Sequence, residues 1–226
     1  MKLSIVIPVF NEAATIQRTL QRVLESPLEK EVIIVDDGST DNTSNLVRDL
    51  KDPRIRYYLH NRNLGKGASL RTAFSHVSGD IVIIQDADLE YYPKDYPALI
   101  EPILNGDADV VYGSRFLGGP HKVLLIWHAL GNWLVTFFAN ILYNINFTDI
   151  ETGYKAFRRD ILNHITFKSS SFAFEAEFTA KVAKHKFRIF ETPISYAGRS
   201  YAEGKKISWV DGIIAIWTLI KYRVTD

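Results

Sequence analysis

No cysteine occurs among the 226 residues. Disulfides, thiolate nucleophiles and cysteine-ligated zinc are therefore excluded, and a reducing compartment is favoured. Any chemistry must use oxygen and nitrogen groups. Net charge is almost absent as well. Lys plus Arg total 27 against 26 Asp plus Glu, or +1 overall, too little for the cationic field of a duplex-binding protein, so nucleic acid is not an expected partner. The N-terminus lacks the core of a signal peptide, because Leu3-Ser4-Ile5-Val6-Ile7 runs at once into Pro8 and reads instead as a first strand. Repeats, low-complexity tracts and Pro/Gly/Ser linkers are also missing. With 46% hydrophobic and 23% charged residues, the chain is expected to fold as one domain over residues 1–226.

What is present begins with short β-branched runs. Leu3 to Val9, Val32 to Val35 and Ile81 to Ile84 are apolar on successive residues, as expected of parallel strands buried on both faces. Weaker strands are predicted at Ile55 to Leu59 and Asp109 to Tyr112. Ala13 to Glu25 carries Ile16, Leu20, Val23 and Leu24 at helical spacing before Pro27 ends it, and Leu70, Ala73, Phe74 and Val77 repeat the pattern. The first half therefore reads as a doubly wound α/β layer.

After Lys122 the composition changes. Val123 to Thr148 holds no Asp, Glu, Lys or Arg, a length that could cross a bilayer of roughly 30 Å. Yet His128, Asn132, Thr136, Asn140 and Asn144 recur every fourth residue as a polar stripe. A span here would also part Asp149 onward from the sheet. An interfacial or core-packed helix is expected instead. Ile207 to Val224 is amphipathic too, with Trp209, Val210, Ile213, Ile214, Trp217 and Ile220 on one side and Lys205, Lys206, Lys221 and Arg223 flanking it. Tryptophan beside basic residues suits a lipid headgroup layer. Burial of both helices on the sheet, a homo-oligomer or a membrane-protein partner would satisfy the same pattern.

Polar loops interrupt the apolar runs at regular places. Gln85-Asp86-Ala87-Asp88-Leu89-Glu90 follows the third run, at the expected carboxyl edge of the sheet. In an extended segment alternate residues point one way, so Asp86, Asp88 and Glu90 could converge on one divalent cation. An Asp-X-Asp triplet alone is common by chance, and a solvated acidic turn is its ordinary meaning. Asp36-Asp37-Gly38-Ser39 follows the second run and could bind a base or ribose, or cap the next helix. Pro8-Val9-Phe10-Asn11-Glu12 closes the first run, and Asn63-Leu64-Gly65-Lys66-Gly67 opens a helix with amides and a cation suited to phosphate.

Taken in order, these motifs with Gly113-Ser114-Arg115 resemble the family 2 glycosyltransferases of the GT-A fold, over nearly the whole chain. Asp86-Ala87-Asp88-Leu89, Gly113-Ser114-Arg115-Phe116, Asp149-Ile150-Glu151-Thr152-Gly153-Tyr154-Lys155 and the Arg199 to Lys206 segment are similar to polyprenyl- and dolichyl-phosphate hexose synthases in particular. Glu90 stands where dolichyl-phosphate mannose synthases often carry glutamine, the Arg199 to Lys206 spacing differs from theirs, and no transmembrane pair follows Lys221. The resemblance implies a mostly parallel sheet with helices on both faces, a nucleotide-sugar half over 1–117, and an acceptor half with amphipathic helices over 118–226. It implies a nucleotide site at Pro8, Phe10, Asn11, Glu12, Asp36, Asp37, Lys66 and Asp86, and a divalent metal, Mn or Mg, on Asp86, Asp88 and Glu90. Arg115, Arg199, Lys205 and Lys206 would meet the acceptor phosphate, and Asp86, Asp88, Arg115 and Arg199 would form the catalytic set.

The implied reaction moves a hexose from a nucleotide diphosphate sugar, GDP-mannose ahead of UDP-glucose, to a polyprenyl or dolichyl phosphate with inversion. Its expected place is the cytoplasmic face of a membrane, bound peripherally. A phosphate acceptor needs little or no base, whereas a saccharide hydroxyl would need one from Glu175, Glu177, Asp149 or Glu151. Glu175 and Glu177 otherwise read as helix-cap or surface carboxylates. A non-catalytic nucleotide-binding or interaction module would keep the fold without the chemistry.

Overall fold

The computed structural model describes residues 1–122, 125–199 and 209–225. One seven-stranded sheet carries the chain: β1 (Leu3–Val9), β2 (Lys30–Asp36), β3 (Ile55–Leu59), β4 (Ile81–Ile84), β5 (Val110–Ser114), β6 (Lys155–Arg158) and β7 (Ile189–Pro193), in the order β3-β2-β1-β4-β6-β5-β7. The first four strands are mutually parallel, with Leu3 beside Lys30 and Ile81. β6 runs antiparallel to both β4 and β5, and β7 is parallel to β5.

Successive residues of β1 alternate between two cores: Leu3, Ile5 and Ile7 enter one, and Val6 enters the other. Each such side chain contributes about 1.5–3 kcal/mol on burial, which is why the run lacks the polar alternation of a one-sided strand. Helices α1 (Ile16–Glu25), α2 (Thr43–Arg48) and α4 (Tyr96–Leu104) cover the first face. Helices α3 (Lys66–Phe74), α5 (Ile126–Tyr143), α6 (Phe174–Lys184) and α7 (Trp209–Val224) cover the second.

The predicted strands of the first half are all found, within a residue or two. β6 and β7 were not anticipated; they bring the second half of the chain into the same sheet.

Helices α5 and α7 pack on each other in an orientation that periodicity could not give. The polar stripe of α5 faces the protein. Asn140 exchanges two hydrogen bonds with the Phe147 backbone at 2.8 and 2.9 Å, and Thr136 is buried and accepts from Ile150 N at 3.4 Å. On α7 the buried residues are Ala215, Thr218, Leu219 and Tyr222, so the side away from the Trp209, Ile213 and Trp217 stripe turns inward. The apolar stripes therefore point out. All four tryptophans of the chain lie there, with Trp127 78%, Trp133 58%, Trp209 78% and Trp217 64% exposed. No helix of the described residues is long and apolar enough to cross a membrane.

Candidate active site

β1, β2 and β4 end at the same edge, where the chain has crossed the sheet in opposite directions to build the strands on either side of β1. Ligands of open α/β sheets bind at such a point. A cavity of about 470 Å³ opens there.

Ten residues of the implied nucleotide, metal, catalytic and acceptor sets line this cavity: Pro8, Phe10, Glu12, Asp37, Lys66, Asp86, Asp88, Glu90, Arg115 and Arg199, and so do two of the candidate bases, Glu151 and Glu175. Asn11 and Asp36 do not. Asp36 is fully buried and accepts hydrogen bonds from Ser39 N, Ser44 and Tyr57, so it fixes the loop after β2. Asn11, at φ 53°, clips that loop by donating from its amide to Ser39 and accepting from Thr40 N. Asp37 accepts from the amides of Leu64 and Gly65 at 3.0 and 2.7 Å, so it holds the turn before α3. Lys205 and Lys206 lie outside the described residues.

The acidic motif does not continue the strand. β4 stops at Ile84, the backbone turns, and Leu89 takes φ 65°, a left-handed conformation that costs an L residue roughly 1–2 kcal/mol. Asp88 braces the turn by accepting from Glu90 N at 3.1 Å. Asp86 and Asp88 still reach one cavity, but through this turn rather than through extended alternation. Glu90 is drawn aside: Tyr196 donates to it at 2.6 Å and the Arg199 amide at 2.8 Å.

Each catalytic-type side chain has a charged partner. Lys66 bridges Asp86 at 2.8 Å and Glu175 at 3.0 Å. Burial works against its ammonium, but the two carboxylates outweigh that and raise its pKa above the ordinary lysine value. Glu175 is bound in turn by fully buried Lys155. Its carboxyl stays low in spite of burial because Lys155 and Lys66 face it. Arg115 meets fully buried Asp149 through two bonds of 2.7 Å and its own amide at 3.1 Å, and its guanidinium lies over the Tyr196 ring at 5.2 Å. Arg199 reaches Asp88 at 3.0 Å and Glu12 at 3.2 Å. A second cavity, about 670 Å³, adjoins behind this knot and shares Glu12, Asp88 and Arg199.

The walls of the first cavity carry eight carboxylates against three cationic side chains. Crowding of like charge shows in two of them. Burial first, then Asp86 and Glu90, push the Asp88 carboxyl up to about 7 against the pull of Arg199. Burial and Glu175 push Glu151 up to about 7.

The glycines mark how tightly this edge is built. A Cβ at Gly153 would collide with the Asp86 carboxylate, and one at Gly65, where φ is 94°, with the Ser170 backbone. The surface or cap reading of Glu175 and Glu177 is overturned, since both are buried and ion-paired, Glu177 with Lys181 at 2.8 Å. Sequence reasoning also passed over Lys155, Tyr91 and Tyr196. Lys155 opens the short strand Lys-Ala-Phe-Arg, whose local pattern carries no signal of its partner across the fold.

The fold is that of an α/β enzyme with an acid-rich cavity at the carboxyl edge of its sheet. The model of the family described as Glycosyl transferase family 2 matches residues 4–166, and the chain belongs to that family. It is a glycosyltransferase. Relatives include the undecaprenyl-phosphate mannosyltransferase of Micrococcus luteus, 29% identical over 94% of this chain and 90% of that protein. The low-salt glycan biosynthesis hexosyltransferase Agl6 of Haloferax volcanii is 27% identical over 99% of this chain and 53% of its own. Among solved structures, glucosyl-3-phosphoglycerate synthase of Mycobacterium tuberculosis, in complex with Mn2+, UDP and phosphoglyceric acid, superposes with a TM-score of 0.74 at 21% identity, over 100% of this chain and 79% of that one. The likeness establishes a shared GT-A-like fold.

Proposed function

We propose that the chain transfers a hexose from a nucleoside diphosphate sugar, with GDP-mannose preferred, to a polyprenyl phosphate at a membrane surface. The observation that carries this reading is the place of α7. Asp211, in its first turn, lines the cavity, while Trp209, Val210 and Ile213 beside it expose their side chains. The apolar face thus begins at the rim of the site, where a lipid-borne acceptor would enter. An exposed apolar face with Lys221 and Arg223 at its end suits a headgroup layer. The name of the Micrococcus relative points to the same acceptor class.

A donor diphosphate is an anion entering an acid-rich cavity, so the walls favour a divalent cation as its companion. Among the described residues no three His, Cys, Asp or Glu are grouped to hold a metal unaided. Asp86 and Asp88 supply two carboxylates, which with substrate phosphate oxygens is an ordinary magnesium-type set. Such a cation would neutralise the departing diphosphate as the anomeric bond breaks. Glu90 would join it only by giving up Tyr196 and the Arg199 amide.

The protein's own groups do the rest. Asp37, Pro8 and Phe10 form the base-binding end, and Lys66 holds Asp86 in place. Arg115, aimed by Asp149, presents a fixed cation to phosphate. Arg199 receives the acceptor phosphate, a dianion near neutral pH that attacks from the face opposite the leaving group and inverts the sugar carbon. A hydroxyl acceptor would need a base, and three of its four candidates are spent in ion pairs: Glu175 with Lys66, Asp149 with Arg115, and Glu177 with Lys181.

Thermal melting with nucleoside diphosphate, with and without Mn2+, tests the reading. Wild type should be stabilised by the pair far more than by either alone. Asp88→Ala should fold, lose that synergy, and lose transfer at least about 100-fold. Turnover at the wild-type rate in Asp88→Ala would refute the assignment.

A further inference from the structure

Most carboxylates of the cavity are engaged by named partners. Asp86 and Glu175 rest on Lys66, Glu12 and Asp88 on Arg199, and Asp37 on two amides. Glu151 differs. It is one of the residues lining the cavity, and its Oε1 is buried with no hydrogen-bond partner. A buried acceptor left unmade is costly, and native folds rarely keep one without a use.

Its neighbours in the chain fix where that oxygen stands. Two residues earlier, Asp149 grips Arg115. Two residues later, Gly153 donates its amide to Tyr91 at 2.8 Å and lies against the Asp86 carboxylate with no room for a Cβ. Glu151 thus sits in the chain between the residues that contact the two groups assigned to the diphosphate, and Tyr91 and Phe172 line the same cavity. The part of the donor next to its diphosphate is the hexosyl ring. Such a ring offers hydroxyl donors to a carboxylate and apolar C–H faces to aromatic rings.

We propose that Glu151 reads the donor sugar: its carboxyl accepts hydrogen bonds from hydroxyls of the hexosyl ring and so sets which epimer is transferred. No bond is made or broken at Glu151; it is a specificity-determining residue, and its assignment rests on the glycosyl-transfer reading above. A site built to bond a hydroxyl discriminates strongly against a sugar that moves or lacks it, because the buried acceptor is then left unmade.

The test compares wild type, Glu151→Gln and Glu151→Ala on gluco, manno and galacto donors and on deoxy analogues of the preferred one. Calorimetric affinity for sugar-free nucleoside diphosphate with Mn2+ is the control, and melting temperature reports the fold. Wild type should prefer one epimer by about 10- to 100-fold in kcat/KM. Glu151→Ala should bring the epimers within a few-fold of one another by raising KM for the preferred one, with sugar-free nucleotide affinity unchanged. Glu151→Gln, which keeps one acceptor, should fall between. Three results would overturn the proposal: a wild type that does not discriminate, discrimination kept in both variants, or a kcat collapse on every donor at constant KM with loss of one limb of the pH profile, which marks a base. Failure of wild type to transfer or hydrolyse any donor would remove the glycosyl-transfer reading itself, and the proposal with it.

Discussion

The pair Arg115–Asp149 shows how a single side chain of the cavity is held in place. Asp149 is fully buried and accepts two bonds of 2.7 Å from the Arg115 guanidinium, which fixes its orientation. Asp149→Asn leaves a largely buried cation with a neutral partner. Such a break should cost about 3–5 kcal/mol, read as a lower urea midpoint, and an unchanged midpoint would show the pair to be idle. Asp88 and Glu151 carry the opposite sign of energy. With both carboxyls pushed up to about 7, the folded chain keeps protons that the unfolded chain has released from about pH 4 upward. The ligand-free protein therefore loses stability as pH climbs from about 4 through 7. Melting temperature should fall between pH 5 and pH 8, and fall less in Asp88→Asn; equal slopes would contradict the assignment. Asp86, Asp88 and Arg115 were legible because each closes an apolar run at a sheet edge. Glu175 and Lys155 were not, since the first turn of a helix and a four-residue strand give no sign of an ion pair across the fold.

At the scale of elements, α5 and α7 carry the lesson. Periodicity fixed that each helix has two faces, but not which face turns inward. In α5 the polar stripe wins the interior because Asn140 and Thr136 find backbone partners there, while the indole rings are left outside. β6 and β7 stayed hidden for a related reason. Lys-Ala-Phe-Arg and Ile-Phe-Glu-Thr-Pro are short, carry charge and pair only with distant segments, so local pattern has little hold on them. The outward stripes lead to a direct expectation. Wild type should pellet with anionic vesicles, and the double variant Trp209→Glu, Trp217→Glu should remain in the supernatant with its fold intact. Equal pelleting of the two proteins would end the membrane assignment.

For the whole molecule, function follows from where the chain reverses its path across the sheet. β1 is flanked by β2 on one side and β4 on the other, and the loops leaving all three strands meet over one acid-rich cavity. Arg115 from the end of β5 closes that cavity together with second-half residues from the 149–153 loop, the start of α6 and the first turn of α7, and the second half extends the sheet with β6 and β7. The most direct measurement of the central claim incubates labelled GDP-mannose, and in parallel UDP-glucose, with a short polyprenyl phosphate in vesicles containing Mn2+. Label should appear in the organic phase with wild type, disappear with EDTA, and be absent with Asp88→Ala. Label that stays in the aqueous phase with every donor, or that reaches lipid equally well with Asp88→Ala, would contradict it.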